Sequence, residues 1–240
     1  MMPGAGGKVA LVTGGSRRIG ATISRVLAKA GYEVVLTYRA SGAEGKALAA
    51  RIGGCAVPLD LSRPSTFGRF ADRLGRKIGR LDLLVHNAAV FPRTPAGEIS
   101  PEAWDAVFAV NLRGPFLLTR ALLPLLRKGP GGAGVLFLGD AFAGELWPGY
   151  LPYCLTKLAL PPLAAGLRKV LPPDVRVGVV RPGLVLPPAR FPAKRWERLR
   201  AEKAERRGIR TPDGVARAVL RFARARIYNC QTNHHRGGIQ

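Results

Sequence analysis

The sequence predicts one α/β domain in which a central parallel sheet of six or seven strands is flanked by helices. Short, almost uninterrupted apolar runs alternate along the chain with longer stretches whose apolar residues recur at helical spacing. Strands that are apolar on both faces are typical of a parallel sheet covered by helices. A glycine-containing loop directly follows the first apolar run, which is where such sheets bind phosphate groups.

Strands and helices are predicted in alternation. The strands are Lys8–Thr13, Glu33–Tyr38, Gly54–Leu59, Leu81–Asn87, Gly134–Gly139 and Val175–Arg181, and the helices lie near Ile19–Ala30, Ala43–Ile52, Pro64–Ile78, Pro101–Arg127, Tyr150–Val170 and Asp213–Arg224. Pro161 and Pro162 should kink or restart the fifth of these helices, because proline cannot donate a helical hydrogen bond. No linker divides the chain, so residues 1–240 are expected to form one domain. The arginine-rich segment 187–210 follows the last strand and is well placed to cover a ligand cleft.

The composition is that of a soluble globular protein, with 47% apolar and 22% charged residues. The sequence lacks the run of about 18 apolar residues that would predict a membrane span, and its N-terminal residues do not predict a signal peptide. The three cysteines are widely spaced, and His234 and His235 lack nearby carboxylates. We therefore expect a cytoplasmic protein without a disulfide framework or a metal site.

The formal net charge of +23 is the one unusual bulk property. It is compatible with a nucleic-acid-binding protein. It is also compatible with a general arginine bias, because the basic residues are scattered and the densest run, Arg190–Arg210, also contains glutamates. We favour the second interpretation, in which that run is a solvated helical face. The positive field would then attract anionic ligands, such as phosphorylated cofactors or glutamate tails.

The loop at residues 13–20 (TGGSRRIG) joins the first strand to the first helix, as in a Rossmann-type doubly wound fold. Glycine there lets the backbone approach a pyrophosphate, and the helix N-terminus offers free N–H groups. The second strand ends without the acidic residue that would bind the ribose of NAD. Arg39 at that point, with Ser41 and Arg17, would instead suit the 2′-phosphate of NADPH, unless Arg39 is simply a surface arginine. We therefore predict NADPH as the cofactor.

Residues 139–157 contain three polar groups at informative spacing. Tyr153 and Lys157 are four residues apart, and Asp140 precedes the tyrosine by thirteen. Tyr-x-x-x-Lys places a phenol and an ammonium one turn apart on one face of a helix. A phenol titrates at about pH 10 and is a poor proton relay at neutral pH, whereas a nearby ammonium lowers its pKa.

In these features the chain resembles the short-chain dehydrogenases/reductases. The matching motifs, all in the family's order, are Thr13-Gly14-x5-Gly20, Asp60-Leu61, Asn87-Ala88-Ala89, Asn111, Tyr153-x3-Lys157 and Pro182-Gly183. The resemblance implies that Tyr153 is the general acid, that Lys157 binds the nicotinamide ribose and lowers the pKa of the tyrosine, and that Asn111 supports a water chain to the lysine. The expected cofactor-binding set is Gly14, Ser16, Arg17, Arg18, Ile19, Gly20, Arg39, Ser41, Asp60, Leu61, Asn87, Ala88, Ala89, Lys157, Pro182 and Gly183.

Asp140 stands where the family normally has serine. An ionised aspartate cannot donate a hydrogen bond to a carbonyl oxygen, but with Tyr153 it could relay a proton to nitrogen. Here the chain is similar to the pteridine reductases and the related dihydromonapterin/dihydrofolate reductases. That branch also has an arginine matching Arg18 and an aromatic residue matching Phe91, which stacks on the pterin. The resemblance implies NADPH-dependent reduction of a pterin C=N bond, with substrate contacts from Arg18, Phe91, Asp140 and Tyr153.

Other functions remain open from the sequence. One is a carbonyl reductase of the same family, such as a 3-oxoacyl-thioester reductase. Another is a non-catalytic nucleotide-sensing or nucleic-acid-binding protein on the same fold, which the charge favours and the intact Asn111, Tyr153 and Lys157 oppose. We expect a small pterin or folate as the ligand, and neither a membrane nor nucleic acid as a partner.

Several residues also have purely structural interpretations. Asp140 could be a helix cap, Phe91 could be a core aromatic, and His86 is expected to be packed rather than catalytic. Residues 229–238 keep Gln-Thr and Gly-Gly of the family's last strand but lose its apolar residues. We therefore expect that strand to be weakened or absent. The resemblance implies a homo-oligomer, either a tetramer or a dimer.

Overall fold

A computed structural model describes residues 7–129, 131–188, 191–203 and 208–225. The strands are β1 (Lys8–Val12), β2 (Tyr32–Tyr38), β3 (Cys55–Pro58), β4 (Leu83–His86), β5 (Ala133–Leu138) and β6 (Val175–Val180). They form one parallel six-stranded sheet in the order β3-β2-β1-β4-β5-β6. The predicted Rossmann-type fold is confirmed, and each predicted strand overlaps an observed one.

Helices connect the strands. They are α1 (Arg18–Lys29), α2 (Gly42–Ile52), α3 (Phe67–Ile78), α4 (Pro101–Phe108), α5 (Gly114–Leu126), α6 (Leu151–Leu158), α7 (Leu160–Val170), α8 (Ala193–Glu202) and α9 (Pro212–Arg224). Short 3₁₀ turns occur at Pro64–Thr66 and Ala143–Glu145, and a wide π-helical turn, Ala109–Arg113, lies between α4 and α5.

The two faces of the sheet carry separate hydrophobic clusters. Leu11 and Phe137 belong to the cluster shared with α3, α5 and α7, whereas Val12 and Leu136 belong to the cluster shared with α1, α2 and α9. Because both faces are covered, the strands are apolar without alternation. β1 pairs with β2 on one side and with β4 on the other. The strand order therefore reverses between β1 and β4, which places a ligand cleft at their carboxyl ends.

The double proline restarts the helix. α6 ends at Leu158, and α7 begins at Leu160 with Pro161 and Pro162 in its first turn. In the first turn of a helix the backbone N–H groups have no intrahelical acceptor, so the N–H that proline lacks costs no helical hydrogen bond. The break makes α6 a separate short helix, and this helix carries Tyr153 and Lys157.

The single helix predicted over Pro101–Arg127 is divided by the wide turn. Gly114 N–H bonds to Ala109 O, and Pro115, in the first turn of α5, has no N–H to donate to the Asn111 carbonyl. The span Pro101–Leu126 is long and apolar enough to cross a membrane by length and composition alone. Half of its most apolar window is nevertheless buried inside the protein, as expected for a core helix.

Helix α8, which follows β6, packs against residues that follow β5 and β6. Trp196 of α8 packs with Phe142 and Leu184 in a third hydrophobic cluster, and Lys203 forms an ion pair with Glu145, with an Nζ–Oε2 distance of 2.9 Å. Most of α8 is exposed, in line with the predicted solvated helical face, and Trp196 packs against the domain from its opposite face.

Some sequence predictions fall outside the described residues. They are those for residues 189–190 and 204–207 of the covering segment, for the last strand at residues 229–238, and for His234 and His235.

His86 is packed, as expected. Its ring stacks on Phe137 with 4.8 Å between centroids, and its Nε2 lies 2.8 Å from Thr119 Oγ1. Because the threonine hydroxyl donates to Pro115 O, it accepts from His86 Nε2–H. Burial lowers the pKa of His86 to about 3.

We expect His86 to make the fold sensitive to acid. The unfolded chain takes up a proton at His86 below an ordinary pKa of 6.5, whereas the folded chain keeps it neutral down to about 3. Stability is therefore lost as the pH falls through this window, by about 2 kcal/mol at pH 5. His86→Leu should reduce the drop in the free energy of unfolding between about pH 7 and pH 5, measured by urea denaturation. An equal drop in both proteins would contradict this assignment.

Candidate active site

A cleft of about 340 Å³ opens at the carboxyl ends of β1 and β4, where the strand order reverses. Its floor is the loop from β1 to α1. Gly14 has φ +60°, in the left-handed region that favours glycine. A β-carbon at Gly20 would lie only 2.2 Å from Gly14 O. The loop therefore needs glycine at both positions to turn this tightly, and it exposes backbone N–H groups at the start of α1.

The structure brings most of the expected cofactor residues to this cleft. Those that line it are Gly14, Ser16, Arg17, Arg18, Ile19, Gly20, Arg39, Ser41, Asp60, Leu61, Asn87, Ala88 and Ala89. Sequence reasoning missed Thr37, Tyr38, Ala40, Leu59, Val90 and Val110, which also line it. Gly183 instead borders a separate cavity of about 70 Å³ beside Ala141, and Pro182 O accepts a bond from Ala141 N–H.

Asn87 holds the walls of the cleft together. Its Nδ2 donates to Thr13 O at 2.9 Å and to Gly14 O at 3.1 Å. The backbone N–H groups of Asn87 and Ala88 both donate to Thr13 Oγ1. The end of β4 is thereby joined to the glycine loop, so the Asn87–Ala89 stretch has a positioning role besides lining the cleft.

The part of the cleft lined by Ser16, Arg39, Ser41 and Asp60 is polar. Ser41 Oγ lies 2.5 Å from Ser16 Oγ in a buried pair. Burial tends to raise the pKa of Asp60, but hydrogen bonds from Ser62 and the charges of Arg39 and Arg63 together lower it. Asp60 is therefore an ionised carboxylate that accepts hydrogen bonds. Arg39 lines the cleft and can bind an anionic group.

Asp140 and Tyr153 contact each other directly. Asp140 follows β5, and Tyr153 lies in α6. Tyr153 Oη donates to Asp140 Oδ2 at 2.9 Å, and Phe142 N–H donates to Asp140 Oδ1 at 2.7 Å. Both carboxylate oxygens thus have a donor. Asp140 and Tyr153 are thirteen residues apart in the sequence. The turn between β5 and α6 brings the carboxylate and the phenol into contact.

Lys157 and Asn111 lie next to this pair and hold the surrounding backbone in place. Lys157 Nζ donates to Leu138 O at 2.6 Å and lies 5.7 Å from the Tyr153 ring centroid. Asn111 Oδ1 accepts from Val90 N–H, and its Nδ2 donates to Val90 O and to Thr156 Oγ1. The Asn111 side chain therefore positions the loop after β4 and the helix that carries Lys157.

Burial dominates the electrostatics of the site. It raises the pKa of Tyr153 well above its ordinary value, and the charge and hydrogen bond of Asp140 add to that rise. Burial also raises the pKa of Asp140 and lowers that of Lys157 to about 8. The resemblance implies that Lys157 lowers the tyrosine pKa, whereas burial and Asp140 hold that pKa above its ordinary value here. Asp140 accepts the hydrogen bond of the phenol, and its charge favours the protonated form of Tyr153.

Phe91 belongs to an aromatic cluster beside Tyr153. Its ring stacks on Tyr150 with 4.3 Å between centroids and an interplanar angle of 6°. It meets Tyr153 edge-on at 4.4 Å and Trp147 edge-on at 6.1 Å. Sequence reasoning missed Tyr150 and Trp147, although a tyrosine one helical turn before Tyr153 could have indicated the first.

Arg18 crosses the cleft mouth. Its backbone φ is +54°, uncommon for a residue other than glycine. Its Nη2 donates to Pro187 O at 2.5 Å. Arg18 therefore joins the glycine loop to the start of the covering segment, and it lies between the cofactor cleft and the solvent.

The short-chain dehydrogenase family model matches residues 8–198. The chain belongs to this family. Among curated relatives, D-threitol dehydrogenase of Mycolicibacterium smegmatis is 33% identical over 233 residues, covering 90% of this chain and 86% of that protein. Human dehydrogenase/reductase SDR family member 4 is 33% identical over 188 residues, covering 74% of this chain and 66% of that protein.

Solved structures of this short-chain dehydrogenase family include similar folds with bound cofactor. FolM alternative dihydrofolate reductase 1 from Brucella canis, complexed with NADP, has a TM-score of 0.83 and 31% identity, covering 91% of this chain and 88% of that one. A short-chain dehydrogenase from Burkholderia cenocepacia in complex with NADP has a TM-score of 0.81 and 31% identity, with 91% of each chain covered. The predicted likeness to the dihydrofolate-reductase-like branch is confirmed.

The lining of the cleft fits NADPH, the cofactor predicted for this chain. Gly14 and Gly20 allow the loop to turn closely at the start of α1, where backbone N–H groups can bind a phosphate. Arg17, Arg18 and Arg39 line the same cleft and can neutralise phosphate groups. The residues present therefore fit a phosphorylated dinucleotide.

Proposed function

We propose that this short-chain reductase reduces the C=N bond of a dihydropterin or dihydrofolate to the tetrahydro form, using NADPH. The observation that carries the proposal is the hydrogen bond from Tyr153 Oη to Asp140 Oδ2 at 2.9 Å, beside the half-buried aromatic cluster around Phe91. A proton held between a phenol and a carboxylate suits delivery to a basic ring nitrogen. The FolM neighbours, named as alternative dihydrofolate reductases, support the same substrate class.

Each group in the site has a defined task in this proposal. When bound, NADPH supplies the hydride to a ring carbon. Tyr153 holds the proton for the adjacent nitrogen, and the Asp140 carboxylate orients the phenol by accepting its hydrogen bond. Lys157, charged below about pH 8, holds the nicotinamide ribose, and Asn111 positions its helix. Phe91 stacks on the pterin ring, and Arg18 reaches the pterin and the cofactor phosphate.

A second candidate is a carbonyl reductase, which curated relatives such as D-threitol dehydrogenase favour. Asp140 opposes it. Both oxygens of that carboxylate accept hydrogen bonds, and neither can donate one to a carbonyl oxygen. A negative charge there would also repel the oxyanion that develops during ketone reduction.

Initial rates of NADPH oxidation by the purified protein test the choice. The substrates are 7,8-dihydrobiopterin, dihydromonapterin, dihydrofolate and an acetoacetyl thioester, each with an NADH control. We expect turnover of a dihydropterin with NADPH and none of the thioester. Turnover of the thioester alone would contradict the proposal and favour the carbonyl reductase.

We further propose that residues 1–240 act as one cytoplasmic NADP-binding domain, in which segment 187–210 covers the substrate. We also propose that the chain forms a homo-oligomer, either a dimer or a tetramer. Phe116 on α5 and Leu158 at the end of α6 are 39% and 42% exposed, and we propose that they lie in the subunit interface. A mass in solution equal to a single chain would contradict the oligomer.

A further inference from the structure

We propose that Arg93 binds an anionic tail on the substrate. The site would then favour a pterin whose side chain carries carboxylates, as dihydrofolate does, over a pterin with a neutral side chain. This inference rests on the proposed function and specifies its substrate class.

The loop that carries Arg93 is held next to the aromatic cluster. Thr94, the following residue, is buried, and its N–H donates to Gly149 O at 2.6 Å. Gly149 directly precedes Tyr150, which stacks on Phe91. The backbone of Arg93 is therefore tied to the segment that leads into the helix bearing Tyr153.

The Arg93 stem lies over the Gly149 backbone. A β-carbon at Gly149 would be 3.6 Å from Arg93 Cγ and 3.7 Å from its Nε. The residue is exposed, which leaves its guanidinium accessible to a ligand. Gly149, with φ +76°, leaves this space free without backbone strain.

The aromatic cluster connects the reacting groups to Arg93. Phe91 touches Tyr153 edge-on, and its face is shared with Tyr150. A pterin ring stacked at Phe91 would extend its side chain past Tyr150 toward Arg93. The benzoyl ring of dihydrofolate would find aromatic surface there, and its glutamate carboxylates would meet the guanidinium.

The local charges leave Arg93 available for such a tail. Asp140 is held by two donors, and Glu145 is paired with Lys203. Within the described parts of the chain, no carboxylate forms an ion pair with Arg93. Arg18 adds a second positive charge at the mouth. An anionic tail is therefore attracted, whereas a neutral tail gains nothing from these groups.

The test compares two substrates across matched variants. Arg93→Glu should raise KM for dihydrofolate at least about fivefold at low salt, because an attraction becomes a repulsion at an exposed site. KM for 7,8-dihydrobiopterin should change less than about twofold, because its side chain is neutral. Arg93→Lys keeps the charge and should retain most of the preference. Arg51→Glu makes the same charge change on the exposed face of α2 and should alter neither KM.

The outcomes separate the two proposals. Turnover of both substrates with no selective effect of Arg93→Glu would overturn the role of Arg93 and leave the proposed function intact. An equal rise in KM for both substrates would also overturn it, by indicating a change in loop geometry. If the unmodified protein turns over neither substrate, the proposed function fails and this inference fails with it.

Discussion

Tyr153→Phe should reduce dihydropterin turnover by about 10²- to 10⁴-fold, the usual contribution of a positioned general acid. The substitution removes one oxygen, and with it the only group of this side chain that donates to Asp140. NADPH should still bind, because the cleft is lined by other residues. Initial rates and a fluorescence titration with NADPH measure the two effects separately.

Tyr32→Phe is the matched control. It deletes the same hydroxyl from a buried tyrosine on β2, whose Oη makes a long bond of 3.5 Å to Ala223 O. Its turnover should equal that of the unmodified protein. Equal turnover in Tyr153→Phe would refute the proton-delivery mechanism, and loss of NADPH binding in that variant would show that the phenol is needed for the fold of the cleft.

Asp140→Ser should exchange one activity for another. It restores the residue that the family normally has at this position and replaces an acceptor by a group that can donate. Dihydropterin reduction should fall by about 10²-fold or more, because the carboxylate end of the proton pair is gone. Reduction of an acetoacetyl thioester should become measurable, because a serine hydroxyl can stabilise the developing oxyanion.

The control for Asp140→Ser is Asp72→Ser, which removes an exposed carboxylate from α3, away from the cleft. It should leave both activities unchanged. Retained dihydropterin reduction in Asp140→Ser would refute the role assigned to the carboxylate. Loss of both activities, with NADPH binding intact, would show that the serine is not held where the carbonyl oxygen lies.

The same variant should move an alkaline limb of the pH profile. Burial lowers the pKa of Lys157 to about 8, and the Asp140 charge raises it against that trend. Without the carboxylate the lysine should lose its proton at a lower pH. The pH above which NADPH affinity declines should therefore fall in Asp140→Ser relative to the unmodified protein, in fluorescence titrations across that range.

Much of the fold could be predicted from the sequence, because its signals are local. An uninterrupted apolar run such as the one around Leu11 needs cover on both faces, and that requirement leads directly to a parallel sheet with helices on each side. Gly14 and Gly20 indicate a phosphate loop, since only glycine fits that turn. Helix boundaries were harder to predict. The break at Ala109–Arg113 depends on the Asn111 carbonyl, to which Pro115 has no N–H to donate.

The sequence also identified the residue types of the site, but it did not predict their pKa shifts. The pairing of Asp140 with Tyr153, and not with Lys157, depends on the turn after β5. That contact and burial together reverse the pKa shift expected for the phenol. Desolvation depends on all the atoms that pack around a group, so a short sequence motif does not determine it.

The order of apolar runs, the glycine loop and the Tyr-x-x-x-Lys spacing are enough to establish a short-chain reductase fold with a dinucleotide cleft. The packing of distant segments establishes the rest. Tyr150 and Trp147 surround Phe91, and Arg93 lies over Gly149, because the loop after β4 is bonded to the turn before α6. Such contacts join residues more than fifty positions apart, and local sequence preferences carry no information about them.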